Sequence, residues 1–303
     1  MQTRELGRGG PQVPVIGLGA WPIGGGMGIL DEEQSIATVR AAIDTGIILL
    51  DTARGYQTSE TTLGKALKDG YRERCFLATK VSGNYSRQGI RASMENSLCE
   101  LGVEYVDLYQ VHSWRGELWS MEETMGEMVK LQEEGKTRYL GVSNFNAVQM
   151  EEAYEVAPFH SSQPGYNMLD RQIEAADLSY CENRGIGNLA HSPLAKGLLT
   201  GRYRAGYQFP EDDERSGRPR FQGELFARYC AIAERLKGIA CDKGISLVQM
   251  AIAWCLRQPA VSCVLVGAKT PEQVAEHMGA AGVTFSVDEL MQIDALLADA
   301  PSD

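Results

Sequence analysis

Ligands for metals, an excess of basic residues and long apolar runs are all in short supply in this 303-residue sequence, and each shortage excludes something. There are only four histidines, widely scattered, and the seven cysteines (75, 99, 181, 230, 241, 255 and 263) contain no C-x-x-C pair. That leaves no ligand spacing suited to zinc or an iron cluster. An odd number of thiols in a chain this long points to reduced cysteines in a reducing compartment, not to a disulfide framework. Twenty-nine Lys and Arg stand against 40 Asp and Glu, a net charge of −11. A chain so acidic suits neither nucleic acid nor an anionic membrane surface. Any anionic ligand must be captured by a local site. The first residues, MQTRELGRGG, have no apolar segment of the kind a signal peptide needs. The charge-free window 9–30 carries eight Gly and three Pro, a density a spanning helix would not tolerate. The expected location is the cytoplasm.

What is present is an ordinary globular composition, 44% apolar and 23% charged, in a chain long enough to bury about three-quarters of its unfolded surface. Short apolar runs alternate with longer amphipathic ones throughout. Strands are expected at 15–19, 47–51, 75–80, 106–112, 139–143, 161–166, 187–191 and 261–266. Helices are expected at 31–44, 59–67, 88–101, from Ser120, at 148–156 and 174–183. Two more follow 223, and a last one begins at Thr270. Ser120 with Glu123 and Ser246 with Gln249 read as capping boxes. Thr270, Pro271 and Gln273 supply an N-cap, a first-turn proline and a capping-box glutamine.

Eight strand–helix units with no linker and no second compositional regime predict one α/β domain over residues 1–303. Its form would be a (β/α)8 TIM barrel with the active site at the C-terminal face of the strands. The competing open doubly wound sheet would need a dinucleotide fingerprint in GLGAWPIGGGMG. Counted from Gly17, the third glycine position is Pro22; counted from Gly24 the pattern fails again. These glycines therefore read as loop chemistry at the barrel mouth.

Asp51, Lys80 and His112 end the second, third and fourth strands, and Tyr56 lies in the loop after Asp51. Singly, each has a plain structural reading: a loop cap, a rim charge, a core histidine, a packed ring. Together, a carboxylate, an ammonium, an imidazole and a phenol at one barrel mouth point to catalysis. A strand-end lysine is also compatible with Schiff-base chemistry.

The wording around these positions resembles the aldo-keto reductase family: DTARGYQTSETTLGKAL at 51–67, ATK at 78–80, DLYQVH at 107–112, GVSNF at 141–145, QPGYNMLDR at 163–171, SPLAKGLLTG at 192–201 and VGAKTPEQVAEH at 266–277. It is most similar to bacterial NADPH-dependent reductases of the stress-protein and inositol-operon type. The resemblance implies a catalytic tetrad of Asp51, Tyr56, Lys80 and His112. Tyr56 would protonate a small-molecule carbonyl as hydride is transferred, Lys80 would lower the tyrosine's pKa from about 10, and His112 would orient the carbonyl oxygen.

The same resemblance implies that Ser143, Asn144 and Gln163 bond the nicotinamide carboxamide and that His191, where relatives carry a larger aromatic residue, stacks on the ring. Ser192, Pro193, Leu194, Lys196 and Gly197 would follow the pyrophosphate, and Gly19, Ala20, Trp21 and Leu199 would also contact the cofactor. Gly267, Lys269, Thr270, Gln273, Glu276 and His277 would hold the adenosine end, His277 replacing the usual asparagine. Lys269 and the helix start suit a 2′-phosphate, so NADP(H) is the expected cofactor. Gln273 replaces an arginine of some branches and leaves NAD(H) possible with lower preference. Trp21 and Trp114 would wall the substrate pocket, and the polar segment 201–223 would be either a lid or a solvated loop. The alternative function is an NADP(H)-binding barrel that serves as a redox-sensing partner subunit. Nothing in the sequence fixes an oligomeric state.

Overall fold

The computed structural model describes residues 1–114, 116 and 118–301. Eight parallel strands close into a barrel: β3 (Ile16–Gly19), β4 (Leu49–Asp51), β5 (Phe76–Val81), β6 (Val106–Val111), β7 (Thr137–Ser143), β8 (Ser161–Gln163), β9 (Gly187–His191) and β10 (Val261–Val266), with β10 returning to β3. A short antiparallel hairpin, β1 (Thr3–Glu5) with β2 (Gln12–Pro14), precedes them. The barrel expected from the sequence is the one observed.

Alternation along the strands builds the barrel interior in layers, because residues two apart share a face. Leu49, Ala78, Leu108, Leu189 and Cys263 form an apolar inner cluster, closed by Leu6 and Val13 from the hairpin. One step further along the same faces come Asp51, Lys80, Gln110 and His191. The apolar layer is thus a floor, and the polar layer above it opens at the C-terminal mouth.

The helical ring consists of α1 (Glu32–Thr45), α2 (Ser59–Ala66), α3 (Arg87–Leu101), α4 (Met121–Glu133), α5 (Ala147–Val156), α6 (Asp177–Arg184), α7 (Gly223–Asp242), α8 (Leu247–Leu256), α9 (Pro271–Met278) and α10 (Val287–Leu297). Their apolar faces and the outer faces of the strands make the larger core. No single helix among the described residues is long and apolar enough to cross a membrane.

Local expectations and structure differ in places. The expected helix 174–183 divides into a 3-10 turn at Gln172–Glu174 and α6. The sixth strand stops at Gln163, since Pro164 cannot donate to a ladder. The Ser246–Gln249 box is complete, but the other two are half-formed. Glu123 reaches to Arg87 instead of back to Ser120, and Gln273 accepts from the backbone of Lys269. The hairpin and α10 carry no expectation in the reading above, although Ser286 and Glu289 form a full capping box at the start of α10.

The hairpin is tied to the barrel floor by one guanidinium. Arg4 donates to the carbonyls of Val261 (2.5 Å), Leu256 (2.9 Å) and Gln258 (3.2 Å). Hydrogen bonds from a charged group contribute about 1.5–3 kcal/mol. Arg4→Met is therefore expected to lower the unfolding free energy by about that amount in urea titrations followed by tryptophan fluorescence. An unchanged midpoint would show that the hairpin adds nothing to the stability of the barrel.

Candidate active site

The polar layer converges on Lys80. Its ammonium is wholly buried and all three of its protons are committed: to Asp51 Oδ2 (2.6 Å), to the Thr52 carbonyl (2.8 Å) and to Tyr56 Oη (3.3 Å). Asp51 in turn accepts at Oδ1 from Gln163 Nε2 (2.8 Å) and Gln110 Nε2 (3.2 Å). Burial pulls the Lys80 pKa down, but Asp51 and Tyr56 outweigh it and leave it above the usual lysine value. Asp51 and Tyr56 are thus brought together on Lys80, and His112 meets the Tyr56 ring.

Tyr56 differs from the expectation. Burial raises its pKa more than Lys80 lowers it, so the net shift is upward. The phenol is held neutral. Its ring is edge-on to Trp21 (4.9 Å between centroids) and to His112 (5.4 Å). His112 bonds through Nδ1 to Ser82 Oγ (2.7 Å), and burial with the nearby Lys80 charge pushes its pKa down to about 3. It is a neutral imidazole.

A cleft of about 720 Å³ runs from Tyr56 and His112 across the barrel mouth to Glu276 and His277. Of the residues expected at a cofactor, Gly19, Trp21, Gln163, His191, Ser192, Pro193, Leu194, Lys196, Gly197, Gly267, Lys269 and Gln273 also line it. Ser143 is buried behind it and donates to the Gln163 carbonyl. Asn144, in a left-handed conformation (φ 56°), links the His112 carbonyl to His191 Nε2 (3.0 Å each). Ala20 and Leu199 are buried, and Thr270 caps α9. Trp114 lies elsewhere: it lines a second cavity with Trp119 and packs near Tyr85 and Phe145.

The segment 201–223 is a strap and not a free loop. Arg215 forms a buried pair with Asp213 (2.6 Å), and Met27 bridges to Asp213. Glu214 accepts from the Trp21 indole (2.8 Å) and from Lys196 Nζ (2.5 Å), while Arg220 forks onto Asp170. Glu214, Arg215 and Arg218 line the cleft.

Sequence reasoning missed Ser82, Gln110 and Glu214. The first two had a signal: each lies two positions from a strand-end residue, Lys80 or His112, and so shares its face. Glu214 had none, since a charged residue in a polar loop carries no address.

All four histidines sit below the ordinary imidazole value. Burial alone lowers His277 to about 4 and also lowers His160; burial and lysine charges lower His191 to about 4. The rings of His112, His191 and His277 bind a proton in the unfolded chain below about 6.5 but in the folded one only near 3 to 4. Stability must therefore fall as pH drops from about 6.5 toward 4.5, above the range where carboxylates titrate. A fully buried histidine contributes a slope of about 1.4 kcal/mol per pH unit. His277→Gln is expected to flatten the pH dependence of the urea midpoint by one such share, and an unaltered slope would place the acid sensitivity elsewhere.

Residues 15–298 match the family model described as Aldo/keto reductase family. The aldo-keto reductase YhdN of Bacillus subtilis is 38% identical over all of this chain and 96% of its own. The L-glyceraldehyde 3-phosphate reductase of Escherichia coli O157:H7 is 33% identical, covering 99% of this chain and 93% of its own. Among solved structures, glycerol dehydrogenase AKR11B4 from Gluconobacter oxydans superposes with a TM-score of 0.87 at 34% identity, over 99% of this chain and 97% of its own. The thermostable aldo-keto reductase Tm1743, solved with the inhibitor epalrestat, gives 0.80 at 31% identity over 98% and 100%. With its strand-end tetrad, closed barrel and full-length sequence likeness, the chain belongs to the aldo/keto reductase family.

Proposed function

We propose that this reductase uses NADPH to convert small aldehydes or ketones to alcohols, with Tyr56 as the proton donor. The observation that carries the reading is the state of the Tyr56 hydroxyl. Because Lys80 spends its third proton on Tyr56 Oη, that oxygen is already an acceptor, and its own hydrogen is left for the cleft. Burial keeps the phenol protonated at rest. As a carbonyl oxygen gains charge, the adjacent ammonium favours the phenolate that remains, so acidity is supplied when the proton moves. His112, neutral and fixed by Ser82, is suited to donate a second hydrogen bond that orients the same oxygen.

The cleft fits a dinucleotide phosphate. Its walls carry Lys196, Arg202, Arg215, Arg218 and Lys269, a concentration of positive charge in a chain of −11. Ser192, Ala195 and Lys196 hold left-handed conformations (φ 59°, 47° and 53°) beside Gly197, a tight winding that non-glycine residues adopt at a cost and that marks functional turns. Gln163, His191 and the 192–197 turn would hold the nicotinamide half, and Lys269 with Gln273 the adenosine half. When bound, the reduced nicotinamide supplies the hydride. Seven free cysteines support a reducing, cytoplasmic setting.

Tyr56→Phe keeps the ring and its contacts but removes the proton donor. NADPH titration by fluorescence is expected to give a dissociation constant within about threefold of wild type, while carbonyl reduction across an aldehyde, ketone and sugar panel falls by about 10²–10⁴-fold. Retention of more than a tenth of the turnover would take the acid role away from Tyr56.

Lys269 is the cation expected to read the 2′-phosphate. Its ammonium donates to the Met27 carbonyl, and burial, with Arg215 and Arg202, holds its pKa below the usual lysine value. Pro271 at the start of α9 offers no amide, which puts more of the task on the side chain. A partly desolvated charge-assisted contact is worth about 1.5–3 kcal/mol, or roughly tenfold to a hundredfold in affinity. Lys269→Ala should weaken NADPH by that factor and NADH little, measured as paired dissociation constants at low salt. Equal losses would assign Lys269 to the Met27 loop and leave NAD(H) as the cofactor.

A further inference from the structure

Gln110 is wholly buried in the barrel, and neither the tetrad nor the cofactor contacts described above give it a task. Its surroundings fix the hydrogen-bond polarity of two amides without ambiguity. Asp51 is paired with the Lys80 ammonium, and an ionised carboxylate only accepts. Both glutamines that reach Asp51 Oδ1 must therefore turn their NH2 groups toward it: Gln163 at 2.8 Å and Gln110 at 3.2 Å. With its nitrogen so committed, Gln110 presents Oε1 sideways, and Gln163 Nε2 donates to that oxygen at 3.2 Å.

Two acceptors now lie on the one Gln163 nitrogen, which has two hydrogens. Asp51 takes one and Gln110 the other. The remaining polar atom of the Gln163 amide is its carbonyl oxygen, and Gln163 lines the cleft. We propose that Gln110 is a positioning residue that withdraws the second N–H of Gln163 from the cleft, so that Gln163 offers an acceptor alone and reads the amide of a nicotinamide ring by its NH2. The proposal rests on the nicotinamide reading of the cleft but not on the choice between NADPH and NADH, because both carry the same ring.

The consequence is a selectivity that a merely space-filling residue would not produce. A ligand group that accepts but cannot donate finds no partner on Gln163 while Gln110 is in place. Met at position 110 keeps the length and apolar volume but provides no amide. The second N–H of Gln163 then loses its internal partner and becomes available to an acceptor in the cleft.

The test compares the reduced dinucleotide with its 3-acetylpyridine analogue, in which a methyl ketone replaces the carboxamide, by fluorescence or calorimetric titration of the whole protein. NADPH and NADH are both titrated, and the tighter one is used. Wild type is expected to bind the analogue about tenfold more weakly than the parent, as follows from losing one hydrogen bond at a buried polar group. Gln110→Met should shrink that ratio to about threefold or less, chiefly by improving the analogue. Binding of 2′-phospho-ADP-ribose, which lacks the ring, should stay within twofold and thereby report an intact fold. If Gln110→Met weakens parent and analogue by one common factor, or if wild type does not discriminate between them, the proposal is overturned while the cofactor reading stands. If neither NADPH nor NADH binds to wild type, the cofactor reading falls, and this proposal with it.

Discussion

A lysine ammonium sealed inside a barrel is the constraint to which the rest of this site answers. Moving such an ion out of water costs several kcal/mol even after relaxation, and Lys80 has no exposed surface at all. Three acceptors meet it, one of them the Asp51 carboxylate. That carboxylate then needs donors of its own, and two glutamines on β6 and β8 supply them. The network is closed on the inside and open at one atom, Tyr56 Oη. The tyrosine hydroxyl is the group through which the Lys80 ammonium reaches the cleft. Removing any inner member would leave a charge or an amide unpaired above an apolar floor, and the carboxylate, the ammonium and the two amides all come from barrel strands, β4, β5, β6 and β8.

This arrangement separates two properties that are easily conflated. A proton donor must hold its proton at rest and release it on demand. If Tyr56 is the donor, as proposed, its burial, which raises its pKa, would serve the first need and the Lys80 ammonium at 3.3 Å the second. The expectation of a net lowered pKa considered only the charge, because desolvation is invisible until the surroundings of the ring are known. Trp21 and His112 meet the ring edge-on and Trp21 is itself held by Glu214 from the strap, so the segment 201–223 helps determine the polarity of a phenol many residues away in sequence.

Much of this was legible from residue order. Eight alternating units specify the barrel, and the strand-end rule singles out Asp51, Lys80 and His112 from residue order alone. Period-two alternation would also have reached Gln110, one step inward from His112, and Ser82, one step outward from Lys80. Other features had no local signature. The N-terminal hairpin is made of three-residue strands bearing charges, and its stability comes from Arg4 reaching carbonyls more than 250 positions away. Trp114 reads as a pocket wall because it follows His112 closely, yet its indole lies beside Phe145 and shares a separate cavity with Trp119. Sequence proximity to a catalytic residue does not fix the direction of a side chain in a loop.

The charge distribution completes the picture. An average field of −11 repels a polyanionic ligand, so capture depends on cations that the protein itself does not neutralise. Many basic residues here are consumed in ion pairs away from the cleft, such as Arg91 with Glu127 and Glu134. Those facing the cleft are arranged differently. Lys196 and Arg218 share a single carboxylate, Glu214, and Lys269 meets a neutral carbonyl instead of an acid. Two cations on one anion, next to a third that no carboxylate among the described residues pairs directly and that Asp212 and Asp213 offset only at a distance, leave a local surplus of positive charge. Burial lowers the pKa of both Lys196 and Lys269, so each is held in its charged form less firmly than a solvated lysine, and an arriving phosphate would favour that form on both. The cleft is therefore electrostatically incomplete by itself, and an anion seated between the 192–197 turn and the start of α9 is what would complete it.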